Sequence, residues 1–194
     1  AVGLSACGAS EPDSATLGAP ACAAGQTDGD LLLYNWTNYL PTGAEATTEP
    51  IPSPLMFMAS LIHQTSRITF GTGVINLPNR HPAVIAAEVA QFDHMSQGRF
   101  GLNIVCGWNE DEFRMFGQAL REHDTRYAYG QEWLGIVEQI WNGERPFDHE
   151  GEFFNLKAVT GSPKPFGGTR PLIMNAGASG AGRAFAIRNC DILF

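Results

Sequence analysis

Basic residues are scarce. None occurs in the first 50 residues, and the 12 lysines and arginines of the 194-residue chain never form a run, against 20 acidic residues and a formal charge of −8. That balance excludes the cationic footprint of a nucleic-acid binder. No apolar stretch reaches the ~18 residues of a membrane span. The four cysteines, Cys7, Cys22, Cys106 and Cys190, are far apart and form no C-x-x-C, so neither a zinc site nor a disulfide framework is indicated. The glycines from Gly177 to Gly182 have the wrong spacing for a dinucleotide-binding G-x-G-x-x-G. Neither G-x-x-x-x-G-K-[ST] nor H-E-x-x-H occurs. Ser179 is no nucleophile elbow, because Ala181 stands where G-x-S-x-G needs its second glycine.

What is present is 44% hydrophobic residues, enough for one core, with a composition shift near residue 50. Residues 1–50 hold six acids and no base, and the first 30 are rich in Ala, Gly, Ser and Thr without periodic apolar spacing. Such a stretch is expected to be a flexible head, with residues 51–194 as the folded domain. Two features of the head carry a second reading. Leu4-Ser5-Ala6-Cys7-Gly8 matches a lipobox, the site of a lipid anchor on Cys7 if an upstream signal peptide exists; the alternative is a chance match among small residues. Residues 30–41 (Asp-Leu-Leu-Leu-Tyr-Asn-Trp-Thr-Asn-Tyr-Leu-Pro) read as a strand and turn. This segment resembles the first strand of periplasmic polyamine-binding proteins, implying a solute-binding lipoprotein; it reads equally as an aromatic-rich edge strand.

Beyond residue 50, strands and helices alternate. Helices are expected over residues 55–66, from Pro82 to Gly98, briefly over 110–116, from an Asp124 N-cap through Trp141, and over 179–188. Strands are expected at about 67–75, 99–105, 171–176 and 190–194, with a hairpin around His149-Glu150-Gly151. Strand–helix alternation implies parallel strands with helical crossovers, an α/β sheet or barrel.

Chemistry must then lie at strand ends. Asn103 interrupts the apolar run Phe100, Leu102, Ile104, Val105, so its amide must be satisfied by the scaffold or by a ligand. Ser179 opens a helix among glycines, as an anion site or as a plain N-cap. Arg126-Tyr127 offers a guanidinium for phosphate and a ring for an aromatic ligand, or is a surface pair. Glu112 bonds a ligand or merely offsets a helix dipole. His81 reads as a turn residue. His94, His123 and His149 do not cluster, so no metal is assigned.

Several stretches together resemble the bacterial luciferase-like family of flavin-dependent monooxygenases, in the branch of pyrimidine, alkanesulfonate and dimethylsulfone monooxygenases. They are residues 67–74 (Arg-Ile-Thr-Phe-Gly-Thr-Gly-Val), His81-Pro82, residues 93–100 (Asp-His-Met-Ser-Gln-Gly-Arg-Phe), residues 107–113 (Gly-Trp-Asn-Glu-Asp-Glu-Phe), residues 123–127 (His-Asp-Thr-Arg-Tyr), Pro163-Lys164-Pro165 and residues 173–179 (Ile-Met-Asn-Ala-Gly-Ala-Ser). The resemblance implies a TIM-type (β/α)₈ barrel with reduced FMN (FMNH2) at the C-terminal strand ends. It places Asn103 on the flavin, Glu112 at a flavin-side loop, Arg126 and Tyr127 on the phosphate and ribityl region, and Ser179 on the phosphate. It further implies O2 and a small organosulfur or nitrogenous substrate, an NAD(P)H flavin reductase as partner, a cytoplasmic setting, and a homo-oligomer when the barrel is complete. Only about four of eight barrel strands are expected, with the head where the first two would stand. The chain therefore reads as a fragment, expected not to turn over substrate by itself.

Overall fold

The computed structural model describes Leu32–Leu33 and residues 53–193. The expected flexible head, the lipobox around Cys7 and all of the 30–41 segment except its two strand leucines lie outside the described residues. In chain order the elements are β1 (Leu32–Leu33), α1 (Pro54–Leu61), β2 (Phe70–Gly71), β3 (Ile75–Asn76), α2 (Pro82–Ser96), β4 (Phe100–Val105), α3 (Glu110–Met115), α4 (His123–Asn142), β5 (Phe147–Glu150), β6 (Asn155–Val159), β7 (Leu172–Asn175), α5 (Gly180–Asn189) and β8 (Ile192–Leu193). The sheet runs β1-β2-β4-β7-β8, every pairing parallel, with β3 also on β4; β5 and β6 form a separate antiparallel hairpin. This is a partial (β/α)₈ barrel.

The sheet is built as its sequence demands. Phe100, Leu102 and Ile104 of β4 point into the same core as Phe70, Ile75 and Ile173 from neighbouring strands. Helices cover that face with Met58, Ile85, Val89, Phe92, Trp133, Val137 and Trp141, all buried. Each such side chain contributes about 1.5–3 kcal/mol on leaving water. Two indoles of α4 also tie it to α2 and to the segment before it: Trp133 Nε1 donates to the Arg80 carbonyl (2.8 Å) and Trp141 Nε1 to that of Ala86 (2.9 Å). Strand alternation leaves Gly101, Asn103 and Val105 on the opposite face, the barrel interior.

Four local expectations are corrected. The strand expected over 67–75 begins at Phe70 and breaks after Gly71, because six residues from Phe70 to Ile75 lie opposite five from Phe100 to Ile104. The helix expected over 55–66 ends at Leu61 and tightens into a 3₁₀ turn at Ile62–Gln64. The N-cap of α4 is Glu122, whose carboxylate accepts from the N–H groups of Asp124 and Thr125 (2.8 and 3.1 Å); Asp124 is inside the first turn. His81 is more than a turn residue, since its Nδ1 accepts from Ala83 N–H and caps α2.

Much of the motif set holds the N-terminal ends of the strands. Arg99 donates to the carbonyls of Ser96, Ile68 and Ile62 and to the Thr65 hydroxyl. Buried Asp93 accepts from Phe166 N–H (2.9 Å), and the Lys164 ammonium caps α4 at the carbonyls of Ile140 and Gly143. Gln97, in the left-handed region at φ 57°, and Gly98 turn the chain out of α2 into β4.

Candidate functional site

At the opposite, C-terminal ends of β4 and β7, two loops and the first turn of α4 enclose a cleft of about 240 Å³. One loop is Cys106-Gly107-Trp108; the other runs from Ala176 to Ser179, and α4 contributes His123, Arg126 and Tyr127. Asn175 ties the walls together. Its Nδ2 donates to the Ile104 carbonyl (2.7 Å) and its Oδ1 accepts from Gly177 N–H (2.8 Å).

Close backbone approach shapes both loops. Gly107 sits at φ +86°, and a Cβ there would meet the Phe113 ring at 2.5 Å and Asn76 Oδ1 at 2.8 Å. Its carbonyl accepts from Arg126 Nη1. On the other side, a Cβ at Gly182 would lie 2.6 Å from Tyr127 Oη and 2.9 Å from Gly177 Cα. Ser179 caps α5, its Oγ accepting from Gly182 N–H (3.0 Å), so the positive end of that helix opens at the cleft.

The electrostatics favour an anion. Among the described residues Arg126 is in no ion pair, and its Nε is buried without a partner. Cys106 adds no negative charge: burial pushes its thiol up to about 12, against the pull of the Arg126 charge. A cation with a free donor, a helix N-terminus and a wall of small residues fit a phosphate monoester. The volume is below the ~300–1,000 Å³ usual for a small-molecule site, so the cleft has room for the anionic end of a longer ligand and not for the whole of one.

Of the five residues singled out in the sequence, Arg126, Tyr127 and Ser179 come together at this cleft. Asn103 does not line it. It is 2% exposed on the interior face of β4, with Oδ1 buried and unpartnered. Glu112 is also elsewhere, buried on α3 with Oε1 accepting from Asn79 Nδ2 (2.6 Å). Sequence reasoning overlooked His123 and Asn175. Asn175 carried the same signal as Asn103, an amide in an apolar strand, and the spacing of His123, three and four residues before Arg126 and Tyr127, puts it on the same face of α4. Among the described residues no helix is long and apolar enough to cross a membrane, and no group of three or more His, Cys, Asp or Glu could hold a metal ion.

The profile of the luciferase-like monooxygenase family matches residues 34–194, starting inside the segment assigned to the head. The chain is 33% identical over 152 residues to an FMNH2-dependent dimethylsulfone monooxygenase of Pseudomonas fluorescens (strain Pf0-1), covering 78% of this chain and 40% of that one. It is 34% identical over 139 residues to the pyrimidine monooxygenase RutA of Serratia proteamaculans (strain 568), covering 71% of this chain and 37% of RutA. Among solved structures it resembles the oxygenating constituent of 3,6-diketocamphane monooxygenase from Pseudomonas putida, in complex with FMN, at a TM-score of 0.67 and 27% identity over 85% of this chain and 47% of that one. The chain thus spans about two fifths of the length of these curated relatives.

Proposed function

The chain belongs to the luciferase-like monooxygenase family, and from that premise we propose that it serves as an FMN-dependent monooxygenase. It takes reduced FMN and O2 and oxygenates a small organosulfur or nitrogenous compound, the classes named for the dimethylsulfone and pyrimidine relatives. A flavin reductase drawing on NAD(P)H is the partner, which sets the reaction in the cytoplasm. The observation that carries the reading is the buried, unpaired Nε of Arg126 beside the N-terminus of α5, a built anion site at the C-terminal strand ends.

The chain's own residues bind and orient. Arg126 holds the Gly107 carbonyl through one nitrogen and keeps a second donor for a phosphate oxygen, while the first N–H groups of α5 and the Ser179 hydroxyl complete the cradle. Tyr127 walls the ribityl side. Asn103, with an acceptor that no protein donor satisfies, receives a ring N–H of the flavin; the buried interior face around it excludes water. Glu112, pinned by Asn79, stiffens the loop that follows Gly107. When bound, reduced FMN supplies the two electrons that send one atom of O2 to the substrate and the other to water.

Titrating the full chain with FMN by flavin fluorescence tests this. Asn103→Ala is expected to weaken FMN by about 1–3 kcal/mol, the cost of a lost buried polar hydrogen bond. Ser179→Ala should weaken it comparably, once its separate N-cap cost of about 1 kcal/mol in stability is measured. Unchanged affinity in both variants would make these residues scaffold and remove the proposal's support.

A further inference from the structure

We propose that the groove between α4 and α5 is a docking surface for a second copy of this chain, in a twofold pairing that sets Arg188 of each copy against Glu152 of the other. The inference lies outside the cleft and does not depend on the flavin reading.

The groove holds about 500 Å³ and is larger than the cleft. Phe185 floors it. Ala128 walls it on the α4 side, Ala181 and Ala184 wall it on the α5 side, and the turn of the β5–β6 hairpin adds Phe153. Beside it, Arg183, Ala184, Ile187 and Arg188 form one exposed stripe of α5, by their three- and four-residue spacing. Ile187 is 79% exposed, a bulky apolar side chain on the crest of a helix. The alanines around it leave room for a second backbone to come close.

The two walls carry opposite charges that the chain itself does not pair. Glu152 lies on the hairpin side and Arg188 on the α5 side, both exposed. Among the described residues neither is in an ion pair, nor is Arg183. Glu132, also on the hairpin side, is already engaged by His149 and by the N–H groups of Phe153 and Phe154, so Glu152 is the carboxylate left over. A half-turn about an axis along the groove lays each wall against the opposite wall of the other copy. α5 of one copy then faces α4 and the hairpin turn of the other. Arg188 meets Glu152 twice, and Ile187 lies over the apolar wall of Ala128 and Phe153. That self-complementarity selects the occupant. The chain carries −8 overall, so copies repel except where opposite charges are set against each other, as on this face.

Sedimentation velocity of the full chain tests this, with Arg188→Glu, Glu152→Arg, the variant carrying both changes, and Ile187→Ser. Wild type is expected to be a dimer that loosens with added salt. Either charge reversal alone should weaken it by roughly tenfold or more, because like charges then meet twice across the axis. The double variant should recover the dimer. So should an equimolar mixture of the two single variants, in which both contacts are again opposite in sign. Ile187→Ser should weaken the dimer and leave its salt dependence in place. FMN affinity and thermal midpoint should match wild type in every variant, since the substituted side chains are exposed and lie outside the cleft. A dimer indifferent to both reversals, or single variants that stay apart on mixing, would overturn the pairing. A monomeric wild type would overturn it too, and leave the groove to an unrelated protein.

Discussion

The Thr72 hydroxyl occupies both main-chain hydrogen-bonding positions of Asn103, accepting from its N–H at 2.8 Å and donating to its carbonyl at 3.1 Å. A side chain stands where a strand backbone would, at the place where β2 breaks and β3 resumes with one residue in excess. Thr72 is fully buried. One hydroxyl thus repairs the ladder beneath the residue that offers its orphaned amide oxygen to the barrel interior.

Thr72→Val keeps the shape and leaves both main-chain groups of Asn103 without partners. It is expected to destabilise the fold by about 1–3 kcal/mol, whereas Thr72→Ser should cost less than half as much. Urea midpoints at constant m decide it; a Thr72→Val midpoint equal to wild type would mean that water satisfies Asn103 instead.

Two glycines of α5 separate packing from propensity. Gly182→Ala drives a methyl group to 2.6 Å from Tyr127 Oη, while a Cβ at Gly180 meets nothing within 4 Å. Gly182→Ala should therefore lose about 1–3 kcal/mol of stability, through overpacking, and weaken FMN by displacing Tyr127. Gly180→Ala should be neutral or stabilise by up to about 1 kcal/mol. Thermal unfolding of both variants, with FMN titration alongside, distinguishes a true backbone contact from a general intolerance of the helix start.

Acid stability should turn on Glu132. Burial alone would raise its pKa, but hydrogen bonds from His149 and from the N–H groups of Phe153 and Phe154 outweigh it and hold the carboxylate below its ordinary 4.5. A depressed folded value means stability present above pH 4.5 and lost as pH falls through the folded value. Asp191, lowered chiefly by Arg170, acts in the same direction. Asp93, raised by burial, opposes them, since its penalty disappears when it is protonated. Glu132→Gln should flatten the acid limb of the stability curve and loosen the β5–β6 hairpin. An unchanged limb would place the acid transition on other groups.

The alternation of strands and helices was legible because period and punctuation are local: Pro82, Gly98 and the amphipathic run Ile85, Val89, Phe92 mark α2 within a residue or two. The break in the 67–75 strand was not legible. It depends on a one-residue mismatch with a strand 30 positions away, which no local pattern contains. Ser179 and Arg126 could be picked out, one by its place before a helix and the other by its charge. Their meeting at one cleft was implied by the family resemblance alone; no local pattern contains it, since it depends on Gly177 touching Gly182 across the start of α5. Asp124 was misplaced as the cap because Glu122, two residues earlier and a less usual capping type, accepts from the N–H groups of Asp124 and Thr125 and starts the helix sooner.

Arg126 offers the sharpest separation of scaffold from site. Its Nη1 is committed to the Gly107 carbonyl and its Nε is buried with no acceptor, so one donor holds the loop and another is left for the phosphate proposed above. Lysine keeps the charge but presents one ammonium, which cannot satisfy both positions in fixed geometry. Arg126→Lys is expected to lose about 1.5 kcal/mol of FMN affinity, and Arg126→Ala about 3 kcal/mol, the range for hydrogen bonds to a charged group. Riboflavin should be affected far less by either change, because it lacks the anion. Trp108, 74% exposed beside Gly107 on the same loop, supplies a second readout. Its emission should change in both variants if the Arg126–Gly107 bond orders the loop. A lysine variant with wild-type FMN affinity would show that Arg126 acts by charge alone, and an alanine variant with wild-type affinity would remove it from the site.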